Sequence, residues 1–357
     1  MAYTTIDDPS AYFKVQLYTG NAGTQSITFN DTDTTMQPDL IWIKCRGAIE
    51  LHTVVDSVRG DSGQNTGYYY VETQSSGAEQ AHSGNTLVSA IGSNGFSLGN
   101  NNQVNIAQPF VSWNWKLGTT SGITTNAGTD ITPSGYSFNA TSGVSAVAYT
   151  ANNTDDQQIP HGLGVAPHMI ISKGRTAYQW GVYHQSNTSA PETDFLVFND
   201  PCETSDEDDR WSDEAPDTVN WTVGDGNDTN KDTGTYIAYL FTGKQGFSKF
   251  GSYEGNGNAD GIFVYTGFRP AMVITKSFDS SSSWHIFDNK REGYNVDNDP
   301  LVADLNSVEA STDMIDLVSN GFKFRISTDP NVAESYIYMA FAESPFVNSE
   351  GVPCNAR

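Results

Sequence analysis

Three well-separated stretches of the chain alternate bulky and smaller positions with period two. In FVSWNWK (110–116), Val111, Trp113 and Trp115 share one parity against Ser112 and Asn114. In YIAYLFT (236–242), Ile237, Tyr239 and Phe241 oppose Ala238 and Leu240. In YIYMAFA (336–342), Ile337, Met339 and Phe341 oppose Tyr338 and Ala340. Period two sends successive side chains to opposite faces of a strand, so each stretch predicts a β-strand with one bulky face turned to a core. Upstream lie three short apolar runs, PDLIWIK (38–44), PHMIISK (167–173) and PAMVITK (270–276). A strand covered on both faces reads as such a continuous run. The proline suits a strand entry, where its missing N–H does no harm. The lysine is expected to mark the exit from the core, its stem packed and its head in water.

The flanks of these runs repeat as well. YTGN (18–21), YTAN (149–152) and YEGN (253–256) precede the prolines by 20, 18 and 17 residues, counted from Tyr. The aromatic strands begin 72, 69 and 66 residues after the prolines. SNGF occurs at 93–96 and 319–322, and NWTVGDG stands there in the middle copy. A further inner strand follows each lysine, in HTVVDSV, WGVYHQS and WHIFDNK. Landmarks in one order at nearly one spacing predict a triplicated unit. With Gly- and Asn-rich turns between strands and no sustained 3.6-residue period, the expected fold is all-β: three tandem antiparallel β-sandwich repeats of roughly 100 residues each. The expected boundaries are 1–118 with a short N-terminal arm, a Gly/Thr/Ser-rich linker at 119–143, 144–246 with acidic insertions, and 247–357 with a C-terminal tail. The second and third repeats, joined almost without a linker, should hold one orientation, and the first should have more freedom.

Charge narrows the function. The net charge of −24 repels a phosphate backbone and an anionic membrane, so neither nucleic acid nor membrane insertion is expected. Cys45, Cys202 and Cys354 are odd in number and widely spaced, which suits free thiols in a reducing compartment. The opening MAYTTIDDPS carries no basic region followed by an apolar run, so no secretory leader is read in it.

Candidate chemistry is sparse. GFSLG (95–99) matches the G-x-S-x-G nucleophile motif, but the third copy has GFKFR there, with Lys323 in the place of Ser97. Both read as a turn and strand rather than the strand–turn–helix that the motif requires. No histidine recurs at one place in all three copies, and no carboxylate pair stands in a recognisable catalytic context. No catalytic residue is expected. Asp228, Asn230 and Asp232 alternate like the start of a calcium loop, but Gly234 falls one place late and Tyr239 stands where the bidentate acid belongs. Calcium at these three is the one cofactor candidate, against the alternative of a solvated acidic loop. Tyr68, Tyr69 and Tyr70 are the candidates for stacking a glycan, against the alternative of core packing.

The phrases YTGN…PDLIWIK, SNGFSLG, FVSWNWK, IPHGLGVAPHMIISK, SKFGSYEGNGNADGIFVYTGFRPAMVITK, SNGFKFR and AESPF…NAR carry a resemblance over nearly the whole chain. It resembles uncharacterised repeat proteins of tailed phages of marine bacteria and cyanobacteria, commonly described as tail-fibre-like or virion structural proteins. The resemblance implies a non-enzymatic virion component, made in the host cytoplasm and not secreted. Its expected role is that of a tail-fibre or receptor-binding component that contacts other virion proteins and a host-surface glycan or receptor. A homo-oligomer is expected, and a trimer suits phage fibres. Two alternatives stand beside it, a capsid-decorating or connector protein and a polysaccharide-acting appendage enzyme.

Overall fold

The computed structural model describes residues 2–29, 34–62, 67–81, 87–231, 233–291, 295 and 299–354. The molecule is all-β, built from antiparallel sheets, and no helix among the described residues is long and apolar enough to cross a membrane. Three larger sheets share one strand order. A tyrosine strand (Phe13–Thr19, Val144–Thr150 or Ser248–Glu254) pairs with an aromatic strand (Pro109–Trp115, Thr235–Phe241 or Ser335–Pro345). Next come the lysine strand (Leu40–Cys45, Met169–Gly174 or Phe268–Ser277) and the post-lysine strand (Thr53–Asp56, Trp180–His184 or His285–Asp288). A shorter strand follows: Tyr70–Val71, Asp194–Val197 or Leu301–Val302. Registers match too. Trp42 pairs with Trp113, Ile171 with Tyr239 and Ile274 with Met339, and all six are buried. In the third lysine strand Pro270 lies inside the ladder at a break in register, where a residue without an N–H costs least.

Each larger sheet has two apolar faces. One faces a smaller sheet, formed by Gln25–Thr28, Val88–Gly92 and Gly95–Leu98, by Gln157–Pro160 and Asn220–Val223, or by Phe263–Tyr265, Ile315–Val318 and Gly321–Phe324. The opposite faces of all three sheets meet in a single cluster that draws on the whole chain. At its centre the equivalent residues Trp115, Phe241 and Phe341 form a triangle, with ring centroids 5.7 to 6.4 Å apart. The bulky parity of the aromatic strands serves this shared centre. The first segment is therefore held in it like the other two and has no independent core on that face.

The lysines depart from expectation. Lys44, Lys173 and Lys276 are fully buried, and their heads are not in water. A buried ammonium is tolerated only when hydrogen-bonded, and each finds backbone carbonyls. Lys44 Nζ donates to Cys45 O, Glu50 O and Asn306 O. Lys173 Nζ donates to Gly174 O, Thr176 O and Tyr178 O, with Ser76 O at 3.5 Å. Lys276 Nζ donates to Ser277 O and Pro201 O. Each lysine thus reaches one carbonyl of another segment, in cyclic order.

Other contacts follow the same cycle. A ring N–H at or just before the start of each post-lysine strand is donated across the junction. Trp180 Nε1 reaches Glu72 O and Ser75 O, and Trp284 Nε1 reaches Val197 O. His52 accepts from Trp42 Nε1 at Nδ1, so its Nε2 carries the proton toward Val302 O and Leu305 O. Glu79 binds Arg175, and Glu309 binds Arg46. At the third junction the matching backbone bond, Thr204 N to Phe278 O, joins uncharged residues.

The Tyr-x-x-Asn signature is a clasp. Tyr18, Tyr149 and Tyr253 donate to Val104 O, Thr229 O and Pro330 O. The next residue in each case, Asn105, Asn230 or Asn331, is fully buried and pairs with Asn21, Asn152 or Asn256. The stretch 119–143 is more than a linker, because its Gly135–Asn139 is a strand on the free edge of Val144–Thr150. The three cysteines are free.

Candidate functional site

Aromatic side chains are nearly all inside, so their exceptions carry information. Phe263 and Tyr265 are each 47 % exposed, and they are the only aromatics among the exposed large apolar residues described. They alternate on Phe263–Tyr265 about the inward Val264, which puts both rings on the outer face of one small sheet, some 7 Å apart along the strand. Equivalent positions identify what the scaffold itself requires. The inward Ile27, Ile159 and Val264 pair with Phe96, Trp221 and Phe322. Outward, the first segment has Ser26 and Thr28, and the second has Gln158 and Pro160, where the third has Phe263 and Tyr265. The fold is therefore built twice without aromatics at these two places.

Polar groups border the pair. Phe263 lies opposite Lys323, and Lys323 lies opposite Asp316, so one row crosses the sheet. Lys323 Nζ is 2.9 Å from the Asp260 carboxylate and donates to Gly261 O. Its hydrogen bond and charge hold the exposed Asp260 carboxyl below the usual range. Arg325 pairs with Asp316. Opposite Tyr265 stands Gly321. A Cβ there would lie 2.0 Å from Val264 O, so the glycine of SNGF is set by close backbone approach. Tyr3 adds a third ring, with its hydroxyl 3.4 Å from that of Tyr265 and donating to Gly267 O. Burial and this contact raise the Tyr3 pKa. Two flat rings beside a row of donors and acceptors can stack a sugar face and bind its hydroxyls.

A cleft of about 400 Å³ runs beside Tyr265, lined in part by Tyr3, His168, Gln185, Lys249 and Phe250. His168 Nδ1 accepts from Gly243 N, which leaves the proton on Nε2, and burial lowers its pKa. Lys249 donates to Tyr265 O, and burial lowers its pKa as well.

The sequence candidates lie elsewhere. Tyr70 is buried and bonds Gln80, Tyr68 is half-buried against the first segment's core, and the half-buried Tyr69 has the Arg175 guanidinium over its ring. Adjacent residues on a strand point to opposite faces, so these three do not form one platform. Asp228 is buried, accepts from Gln179 N and lies 3.0 Å from Arg210. Asn230 is committed to the asparagine clasp, and Asp232 lies outside the described residues. Among the described residues no group of three His, Cys, Asp or Glu side chains is arranged to hold a metal. Among the described residues the Ser97 hydroxyl bonds the Ser26 hydroxyl, at 3.1 Å. The signal for Phe263 and Tyr265 was present in the sequence as F-V-Y between two glycines, but its meaning depends on the register that aligns it with Ser26 and Thr28.

No curated protein and no solved structure matches the chain. The family with the description "domain of unknown function (DUF7483)" matches residues 8–345, and the chain belongs to that family.

Proposed function

We propose that the protein is a non-enzymatic virion component, a tail-fibre or receptor-binding protein that contacts a host-surface glycan through Phe263 and Tyr265. The single observation behind this reading is the exposure of two aromatics at positions that are polar or proline in the other two segments. Stacking on aromatic faces with nearby ion pairs is the chemistry of sugar recognition, and nothing in the packing of the sheet calls for it. The tail-fibre assignment rests on the resemblance of the repeated phrases to phage structural proteins. We further read the chain as three tandem β-sandwich repeats of roughly 100 residues, closed into a ring by the cyclic contacts. Two experiments test the reading. Antibody labelling of intact particles should mark the tail, and absence of the protein from purified particles sinks the virion assignment. A glycan array probed with the full chain should give binding that Phe263→Ser abolishes. Binding that survives this substitution sinks the assignment of the face.

A further inference from the structure

The three tyrosine strands are equivalent, but their outer edges are not treated alike. In the second segment the edge is occupied by the chain's own Gly135–Asn139, with Asn139, Ser137 and Gly135 opposite Val144, Ala146 and Ala148. The positions equivalent to Val144, Ala146 and Ala148 in the third segment are Ser248, Phe250 and Ser252. Ladder phase confirms the match. Thr242 N bonds Gly143 O in the second segment and Ala342 N bonds Phe247 O in the third, so in both the next residue turns its N–H and C=O away from the aromatic strand.

Connection length explains why the third edge stays open. Between the first and second segments the stretch 119–143 is long enough to return a strand. Between the second and third, Lys244 turns straight back to Ser248, and no residues are left over. Of the outward groups, Ser248 is spent on that turn, and Phe250 O accepts from Gln185 Nε2. The N–H of Phe250 and both backbone groups of Ser252 have no partner among the described residues, and Ser252 and Glu254 are exposed. In the first segment Gln16 and Gln25 cap two of the outward carbonyls, Leu17 O and Thr19 O. Natural sheets guard open edges in this way because an unpaired edge recruits another strand.

We propose that the edge Phe250–Glu254 is a β-augmentation site that takes an extended strand of a partner polypeptide, antiparallel, as Gly135–Asn139 is taken by the second segment. The Phe250 end lies in the cleft that Tyr3, Tyr265, His168 and Gln185 also line. A narrow extended segment reaches that floor more readily than the edge of a second folded copy. The cleft carries Lys249 and no carboxylate in its lining, in a chain with 42 acidic and 18 basic residues. The incoming side chain opposite Phe250 is therefore neutral or acidic.

The test uses the full chain and a synthetic peptide of residues 133–141, the strand that the molecule already accepts once. Titration calorimetry measures affinity, and hydrogen exchange reads the amides of Phe250 and Ser252. The peptide should bind and slow exchange at both amides. Ser252→Pro removes an outward N–H and leaves the ladder to Gly251 and Tyr253, so binding should fall at least tenfold with little change in Tm. As a control that leaves the protein untouched, a peptide N-methylated at the Ser134 amide, which donates to Ala148 O in the second segment and would meet Ser252 O in the third, should lose affinity to the same degree. Equal binding of the methylated peptide, no binding up to millimolar peptide, or no protection at Phe250 and Ser252 would each overturn the proposal. A dimer of the free protein that Ser252→Pro dissolves would also overturn it, by assigning the edge to a second copy.

Discussion

The Tyr239 hydroxyl donates to Asp56 Oδ2 at 2.7 Å across the junction between the second and first segments. Asp56 also holds Arg59, and Arg59 Nη2 returns to the Tyr239 oxygen at 3.1 Å. At the next junction Trp113 Nε1 donates to Asp288, which holds Arg291. His184 and Asn187 occupy these places at the third, where His184 Nε2 meets Tyr338 O. The charged version stands at the two junctions without a short covalent connection. The neutral version stands where Lys244–Ser248 already ties the segments.

Removing one member of a buried charge pair leaves the other uncompensated, which costs about 3–5 kcal/mol. Asp56→Asn and Asp288→Asn should therefore lower the urea midpoint strongly. Tyr239→Phe, which removes one hydroxyl, should cost only about 1–2 kcal/mol. His184→Gln should be milder than either aspartate change. Equal midpoints for wild type and Asp56→Asn would show that the junction does not support the fold.

The asparagine clasps predict a second ranking. Asn331 Nδ2 donates to Asn256 Oδ1, Asn258 O and Ile326 O. Asn331→Ala removes the buried amide that joins the loop to the strand and should cost about 1–3 kcal/mol, while Asn258→Ala on the exposed loop should change the melting temperature little. Matching losses for the two variants would contradict the assignment.

Stability should depend on pH in two windows. Burial lowers Lys44, Lys173 and Lys276 to about 8, against 10.5 when exposed. Between those values the unfolded chain binds more protons than the folded one, so stability rises with pH from about 8 toward 10. Above pH 10 the buried tyrosines, such as Tyr18 and Tyr149, have raised pKa values and reverse the slope. On the acid side, burial lowers His52 and His184 to about 3 and His161 to about 4, from 6.5. The unfolded chain takes up protons first there, so stability is kept above 6.5 and lost as the pH falls toward 4. Melting temperatures measured from pH 5 to pH 10 check both signs, and a fall between pH 8 and pH 9.5 would contradict the lysine account.

Ser97→Ala should leave fold and binding unchanged, because among the described residues the Ser97 hydroxyl bonds a serine hydroxyl and no base or orienting acid. An esterase activity lost in this variant would reverse that reading.

Much of the scaffold could be read from residue order alone. The parity of Trp113, Tyr239 and Met339 and the apolar runs before the lysines are local patterns, and local patterns determine strands. The buried lysines were not legible, because their acceptors, such as Asn306 O for Lys44, come from distant segments and are backbone atoms without a side-chain signature. The clasp role of Asn105, Asn230 and Asn331 was not legible, because they stand eight, nine and eight positions before the central residue of the aromatic strand and resemble ordinary loop asparagines, Asn230 being read instead as a calcium candidate. Tyr68–Tyr70 attracted attention as a cluster, yet consecutive strand residues are split between faces. The pair that shares a face, Phe263 and Tyr265, is separated by a valine.

The central claim is that this face binds and that the scaffold does not need its rings. The double variant Phe263→Ser, Tyr265→Thr gives the third segment the residues that the first carries as Ser26 and Thr28. Binding to host cells and melting temperature should be measured side by side. The account predicts that binding is lost while the melting temperature stays within a few degrees of wild type. Undiminished host-cell binding by a folded double variant would contradict it.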